Sequence, residues 1–185
     1  EFYRASAPGV PYQVAIKRGV RMYHDQTTRP VNDMRWETLP LLAHGALVTM
    51  IDKTAFDGGL DPVAYERIGK VLGEARKLRM HFGQPAVYDI GLYFSSRPRD
   101  WIGREQPAKS FHSFQGAHQA CVMQRVQFGV VLDENVSLAA LKKFPVVCLA
   151  NVAILSSREV ALLTDYVKQG GKLLITGQTG QFNAM

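Results

Sequence analysis

The stretch between residues 87 and 176 alternates short apolar runs with amphipathic segments, and this alternation constrains the fold more than any other feature. Strand-like runs occur at 87–94, 129–132, 145–149 and 172–176. The connections between them are short and helical, which favours parallel strands joined by right-handed crossovers. The sequence therefore predicts a doubly wound parallel α/β sheet for the second half of the chain.

Capping signals support the helices between these strands. Ser156-Ser-Arg-Glu159 forms a capping box, in which a serine and a glutamate each satisfy a backbone donor at the start of a helix. Ser137 is expected to cap a short helix, and Gly170 and Gly171 end the last one. One helical face is expected to hold Phe111, Phe114, His118, Cys121 and Arg125.

The segment before residue 84 contains two further strand–helix units and ends at a seam. Its strands are expected at 12–16 and 46–51, with helices at 32–44 and from residue 61 onward. Pro40 is expected to kink the first of these helices. Gly83 ends the second helix, and Pro85 opens a new pattern. Two units cannot close a sheet of their own, so we expect this half to be a piece of a larger domain.

The charge of the chain does not indicate a nucleic-acid partner. The net charge is +6 and the pI about 9.4, which would suit a polyanion. However, the basic residues are scattered, and their densest group, 76–79, fits the solvated face of a helix. We predict no nucleic-acid partner, and no membrane partner, because no apolar run reaches the roughly 18 residues that a membrane span needs.

Residues 84–185 lack the side chains that amidotransferase chemistry requires. That chemistry needs a cysteine on a glycine-flanked elbow together with a His–Glu pair. Cys121 and Cys148 have no flanking glycine and lie in apolar stretches, which is typical of buried thiols. The five histidines show no metal-binding spacing, and the turn 177–180 lacks a phosphate-binding motif. We predict no catalytic residue, no metal and no cofactor.

Several segments resemble a known family of glycosidases. Leu42-Ala-His-Gly-Ala46, followed by an apolar strand, resembles the last helix–strand step of the (β/α)8 barrel in family 42 β-galactosidases. Arg99-Asp-Trp-Ile-Gly-Arg104, Phe114-Gln-Gly-Ala-His118 and Gly170-Gly-Lys-Leu-Leu-Ile-Thr-Gly177 resemble the trimerisation domain that follows that barrel. The resemblance implies that residues 1–83 are the last two strand–helix units of a barrel. It implies that residues 84–185 are a class I glutamine amidotransferase-like domain with a flavodoxin-like sheet, and that the protein is a homo-oligomer.

The resemblance also says where the chemistry of such hydrolases lies. Their acid/base follows the fourth barrel strand, which is outside this sequence, and their nucleophile ends the seventh. The strand that would be the seventh ends in Ala15-Ile-Lys-Arg18 and offers no carboxylate. The segment is therefore not expected to be catalytic by itself, and carbohydrate is its expected ligand.

The candidate binding residues follow from the same resemblance. Loops after strands line the active site of a barrel, which implies a sugar-binding rim. Its members are Arg18, Arg21, His24, Asp25, Asp52 and Lys53. Trp101 lies in a polar loop, 97–104, where it stacks on a sugar, anchors an interface or folds back over its own domain.

Two hypotheses of different class remain. In the first, the chain is the C-terminal part of a glycoside-hydrolase-like protein, with a non-catalytic amidotransferase-like domain for oligomerisation or active-site shaping. In the second, it is a stand-alone flavodoxin-like module that binds a small ligand at the loops after its strands. A degenerate amidotransferase is disfavoured because neither cysteine stands on an elbow.

Overall fold

A computed structural model describes residues 1–20, 27–55 and 57–184 and shows an α/β chain whose strand pairs are all parallel. The described strands are β1 (Gln13–Lys17), β2 (Leu47–Ile51), β3 (Ile90–Phe94), β4 (Phe128–Leu132), β5 (Val146–Ala150), β6 (Ile154–Ser156), β7 (Lys172–Thr176) and β8 (Phe182–Ala184). The described α-helices are α1 (Phe2–Ser6), α2 (Val31–Ala43), α3 (Pro62–Lys77), α4 (Pro107–Ser110), α5 (His112–Gln124), α6 (Leu138–Leu141) and α7 (Ser157–Lys168). Shorter helical turns lie at Arg79–His81, Pro98–Ile102 and Asp133–Asn135. In the described part of the chain, every helix is too short or too polar to cross a lipid bilayer.

The chain divides into two compact units. Pro8–Ala86 form the first, here called the N-terminal unit, and Val87–Met185 together with Glu1–Ala7 form the second, the C-terminal unit. The division lies just after the seam that Gly83 and Pro85 mark in the sequence. The sequence gives no sign that the first seven residues belong with the second unit.

The C-terminal unit is built on a four-stranded sheet with the order β4-β3-β5-β7. The chain passes from β3 to β4 on one side and then returns to β5 and β7 on the other, which is the flavodoxin-like order. Leu92 and Cys148 pack with Cys121 of α5 on one face. Tyr93 and Val147 point to the opposite core, which contains residues of α6 and α7. Helices therefore cover both faces, and the predicted doubly wound parallel sheet is confirmed.

Two paired glycines make room for a ring inside this sheet. Gly91 of β3 lies opposite Gly129 of β4 in the strand register. A Cβ at Gly91 would lie 2.8 Å from the Phe144 ring, and one at Gly129 would lie 2.7 Å from it. The buried ring of Phe144 can thus lie directly on the two backbones only because both residues lack a side chain.

The N-terminal unit contains the two predicted strand–helix units. Strands β1 and β2 pair in parallel, with Gln13 opposite Leu47. Asp61 begins α3 as expected, because its carboxylate accepts from the backbone N–H groups of Val63 and Ala64. A small core joins α2, α3 and the neighbouring strand β2, and it consists of Met34, Ile68 and Val71 with Val31 and Met50 packed against them.

The structure differs from the sequence-based elements at several points, and helices α1 and α4 are among the elements that were not predicted. Strand β3 begins at Ile90 rather than at Val87, and just before it Asp89 bonds to Gln127 outside the regular ladder. The short pair β6–β8 was not predicted. Helix α2 has Pro40 inside it, and the kink expected there stays a prediction.

Candidate functional site

Two of the predicted rim residues, Arg18 and Asp52, come together in the N-terminal unit. They follow β1 and β2, and the carboxyl ends of parallel neighbours lie side by side. The Nε of Arg18 donates to the Oδ1 of Asp52, and Nη1 donates to the hydroxyl of Thr28 at 2.9 Å. The same Nη1 lies 3.5 Å from a carboxylate oxygen of Asp61. We call these four residues the rim cluster.

The rim cluster holds its arginine inside the fold. Arg18 is only 3% exposed, and its Nη2 also donates to the backbone carbonyl of Lys53 at 3.5 Å. The backbone N–H of Lys53 in turn donates to Asp52 at 2.6 Å. Among the described residues, the buried Oδ2 of Asp52 has no hydrogen-bond partner. That oxygen is the acceptor that the cluster offers to a further donor.

Three of the predicted rim residues cannot be placed in this way. Arg21, His24 and Asp25 lie outside the described residues. A sugar-binding rim that includes Arg18, Asp52 and Lys53 therefore stays a prediction.

Trp101 lies in the C-terminal unit, in the helical turn Pro98–Ile102 that follows β3. The turn has π-helical geometry. The indole is 74% exposed. It borders a crevice of about 430 Å³ lined by Arg97, Trp101, Ile102, Ile154, Phe182, Asn183 and Ala184, here called the Trp101 crevice.

Arg97 is held in the wall of this crevice by a buried acidic network. Its Nη1 donates to Glu159 Oε2 at 2.6 Å and lies 3.6 Å from Asp133 Oδ2. Glu159 also accepts from the backbone N–H of Ser156 at 2.8 Å and from the hydroxyl of Tyr93. Both carboxylates are buried, whereas the side chain of Arg97 is 30% exposed. The network thus fixes Nη1 of Arg97, while the side chain stays partly exposed.

The hydrogen bonds of the network favour its charged form. Burial opposes ionisation of Glu159, but hydrogen bonds from Ser156, Tyr93 and Arg97 outweigh it and hold the pKa of Glu159 below its usual range. Burial also acts against the charge of Arg97, yet Glu159 and Asp133 raise the pKa of its guanidinium. Burial and then the neighbouring Glu159 raise the pKa of Tyr93, which stays a neutral donor. At neutral pH the network is therefore a fixed arrangement of ions.

Sequence reasoning missed this network, although part of its signal was present. Arg97 and Asp133 follow strand ends closely, where ligand-binding residues of parallel sheets concentrate. Glu159 was predicted only as the acidic member of a capping box with Ser156, and that box is confirmed. The second role of Glu159 has no local signal, because Arg97 lies 62 residues away in the sequence.

The two thiols have the surroundings that the sequence predicts. Cys148 lies inside β5 and Cys121 inside α5, and both are buried and free. Burial raises the pKa of each thiol, which suppresses the reactive thiolate. Within residues 1–20, 27–55 and 57–184, no three His, Cys, Asp or Glu side chains lie close enough to hold a metal ion.

Comparison with known proteins finds similarity in structure and not in sequence. No family model matches the chain, and no curated protein matches it. Solved β-galactosidases superpose on nearly all of it. The chain has the fold of a segment of the GH42 β-galactosidases.

Three GH42-type structures illustrate the match. The β-galactosidase of Bacillus circulans sp. alkalophilus superposes on 98% of this chain with a TM-score of 0.75 and 16% identity. A catalytic mutant of the GH42 β-galactosidase Gan42B from G. stearothermophilus superposes on 98% of this chain with a TM-score of 0.72 and 12% identity. The β-galactosidase of the psychrophilic Marinomonas ef1 superposes on 98% of it with a TM-score of 0.67 and 19% identity. The present chain spans only 30%, 29% and 31% of these three chains.

Proposed function

We propose that this chain is the C-terminal part of a glycoside-hydrolase-like protein of carbohydrate metabolism. In this proposal residues 1–83 supply the last two strand–helix units of a (β/α)8 barrel, and residues 84–185 form an amidotransferase-like domain. The observation that supports it is the structural similarity to GH42 β-galactosidases over 98% of the chain, which includes both units.

The second domain has a non-catalytic role in this proposal. Its thiols lie in the core, and burial raises the pKa of both. Neither thiol stands on an exposed turn between a strand and a helix, where a nucleophilic cysteine would meet its base. Oligomerisation, or shaping of an active site formed by the rest of the protein, is the role left to such a domain.

The hydrolytic carboxylates are assigned to the remainder of the protein. A glycosidase needs two carboxyl groups that face each other across the scissile bond. Asp52 stands at the end of β2, but Arg18 and the backbone of Lys53 occupy its Oδ1. This arrangement suits a residue that shapes a sugar-binding rim better than one that attacks a sugar.

The test is an assay of the full-length protein on a panel of p-nitrophenyl glycosides that includes the β-galactoside. We expect hydrolysis of at least one of them, and the same rate in the Cys148→Ala variant. Circular dichroism of the variant shows whether it has folded. A rate that collapses in a folded Cys148→Ala protein would assign chemistry to the second domain, and inertness toward the whole panel would argue against a hydrolase.

The alternative is a stand-alone module that binds a small ligand. The Trp101 crevice favours it, since the crevice lies at the loops after parallel strands. Analytical ultracentrifugation separates the two functions. A dimer or trimer supports the hydrolase-like protein, and a monomer with a ligand bound in the crevice supports the module.

A further inference from the structure

The Trp101 crevice lies where a flavodoxin-like sheet presents its ligand site. In the order β4-β3-β5-β7 the chain direction across the sheet reverses between β3 and β5. Ligands of such sheets bind outside the carboxyl ends of the strands at this reversal. Arg97 and Trp101 follow β3, and Ile154 follows β5, so the segments after the two strands at the reversal form part of the crevice wall, and β8 supplies the rest.

The volume of the crevice and its lining suit a small organic ligand. About 430 Å³ falls in the range of roughly 300–1,000 Å³ that is usual for such sites. Trp101 and Phe182 offer exposed aromatic rings that can lie against the apolar face of a ligand. The remaining apolar surface comes from Ile102 and Ile154.

The polar groups of the crevice match hydroxyl groups. In the part of the chain that the structure describes, Arg97 bonds through Nη1, while its Nε and Nη2 make no hydrogen bond. Asn183 uses its amide N–H toward Ser157 at 3.4 Å, which leaves its carbonyl oxygen as an acceptor. A sugar hydroxyl both donates and accepts, and it can therefore bond to either group.

The charge balance disfavours an anion. One guanidinium, that of Arg97, faces two buried carboxylates, those of Asp133 and Glu159. A phosphate or a uronate would thus approach a net negative group of side chains. In the neighbouring glycine-rich turn, the N–H groups of Gln178 and Gly180 are already bonded to Asn151 and Val152.

We propose that the Trp101 crevice is a binding site for a neutral saccharide, which stacks on Trp101 and bonds to Arg97 and Asn183. The acidic network is the support that holds Arg97 in position. Binding here is separate from hydrolysis, so the proposal does not depend on whether the rest of the protein cleaves glycosides.

The test uses the full-length protein labelled with fluorotryptophan and observed by fluorine NMR. The resonance that disappears in the Trp101→Phe variant identifies Trp101. We expect galactobiose at millimolar concentration to shift this resonance, and digalacturonate to shift it less at the same concentration. Trp36 is a matched internal control, because it is 79% exposed but lies in the N-terminal unit, and its resonance should not move.

Calorimetric titration with sulfur-linked galactobiose, which a glycosidase does not cleave, supplies the affinities. We expect Trp101→Ala to weaken binding at this site by at least about tenfold, as truncation of an anchoring aromatic residue does. Trp36→Ala is expected to bind like the parent protein. Because both residues are exposed, neither variant should fail to fold.

Three outcomes overturn the proposal. The first is a Trp101 resonance that no neutral saccharide moves. The second is a resonance that adenosine moves and galactobiose does not, which would assign the crevice to a nucleobase. The third is a Trp101→Ala variant whose assembled mass changes in ultracentrifugation, which would assign the crevice to a contact between copies. None of these results alters the glycoside assay, so the proposed function stands or falls separately.

Discussion

Each of the two units has an arginine after a strand that is paired with carboxylates, but the two arginines differ in exposure and in the number of hydrogen bonds they make. In the rim cluster the side chain of Arg18 is 4% exposed and bonds through Nε, Nη1 and Nη2. Beside the Trp101 crevice, Arg97 is 30% exposed and bonds through Nη1. Each guanidinium carries five N–H donors, so the first is largely consumed by the fold and the second retains donors.

The comparison shows that residue type after a strand does not decide the role of an arginine. Both arginines face carboxylates, and both follow the end of a parallel strand. An arginine whose N–H donors are all bonded within the fold is a supporting residue, whereas one with accessible N–H donors can bind a ligand. The following changes test this distinction, from the largest expected effect to the smallest.

Arg18→Met should have the largest effect on stability. It leaves the buried charge of Asp52 with the backbone N–H of Lys53 but without its ion-pair partner, which typically costs about 3–5 kcal/mol of unfolding free energy. Urea denaturation followed by circular dichroism measures the loss. The double variant Arg18→Met/Asp52→Asn should recover part of it, because the orphaned charge is removed. A loss below about 1 kcal/mol would mean that Arg18 contributes no more than an ordinary surface ion pair, and it would contradict the distinction between Arg18 and Arg97.

Arg97→Met should cost less, about 1.5–3 kcal/mol, the usual contribution of a hydrogen bond to a charged group. Glu159 keeps its bonds from Ser156 and Tyr93, so it is not left without partners. The same urea experiment compares the two variants directly. If Arg97→Met destabilises as much as Arg18→Met, Arg97 is a structural residue and not one reserved for a ligand.

The acidic network should make the protein less stable in acid. The folded pKa of Glu159 is lowered, so its contribution is complete above the ordinary carboxyl pKa of about 4.3 and is lost as pH falls through the lower folded value. Thermal unfolding between neutral and strongly acidic pH follows the loss. Glu159→Gln should be less stable at neutral pH and show a flatter decline in acid. If the stability of Glu159→Gln falls as steeply with pH as that of the parent protein, Glu159 is not the cause of the acid sensitivity.

Trp101→Ala should have the smallest effect on stability, within about 0.5 kcal/mol, because the indole packs little against its own unit. Trp36→Ala is the matched comparison and should behave alike in urea. A substantial destabilisation by Trp101→Ala alone would show that the ring folds back over its domain, which is the structural alternative to ligand binding.

Much of the fold was predictable because its signals are local. Apolar runs, the Ser156–Glu159 capping box and the Asp61 cap are readable within a few residues, and each is confirmed. The pair β6–β8 was missed because three residues in each strand show no periodicity. Strand β3 was predicted too long because the apolar alternation begins at Val87, whereas the paired ladder begins at Ile90.

The candidate sites were predictable only where topology alone brings residues together. Arg18 and Asp52 follow parallel neighbours, so their proximity follows from the strand pattern. The bond between Arg97 and Glu159 depends on the packing of α7 against the sheet, which no local pattern encodes. The same holds for Asn183, whose place in the crevice depends on the unpredicted strand β8.

The glycine pair under Phe144 also acts as a check on strand alignment. If β3 slipped by two residues along β4, Gly91 would face Val131, or Gly129 would face Tyr93, and a side chain would fill the space that the ring needs. Only the register that pairs Gly91 with Gly129 leaves both residues under the ring without a side chain. The ring of Phe144 therefore disfavours other registers of β3 and β4, and the register in turn sets the positions of the loops that carry Arg97 and Asp133.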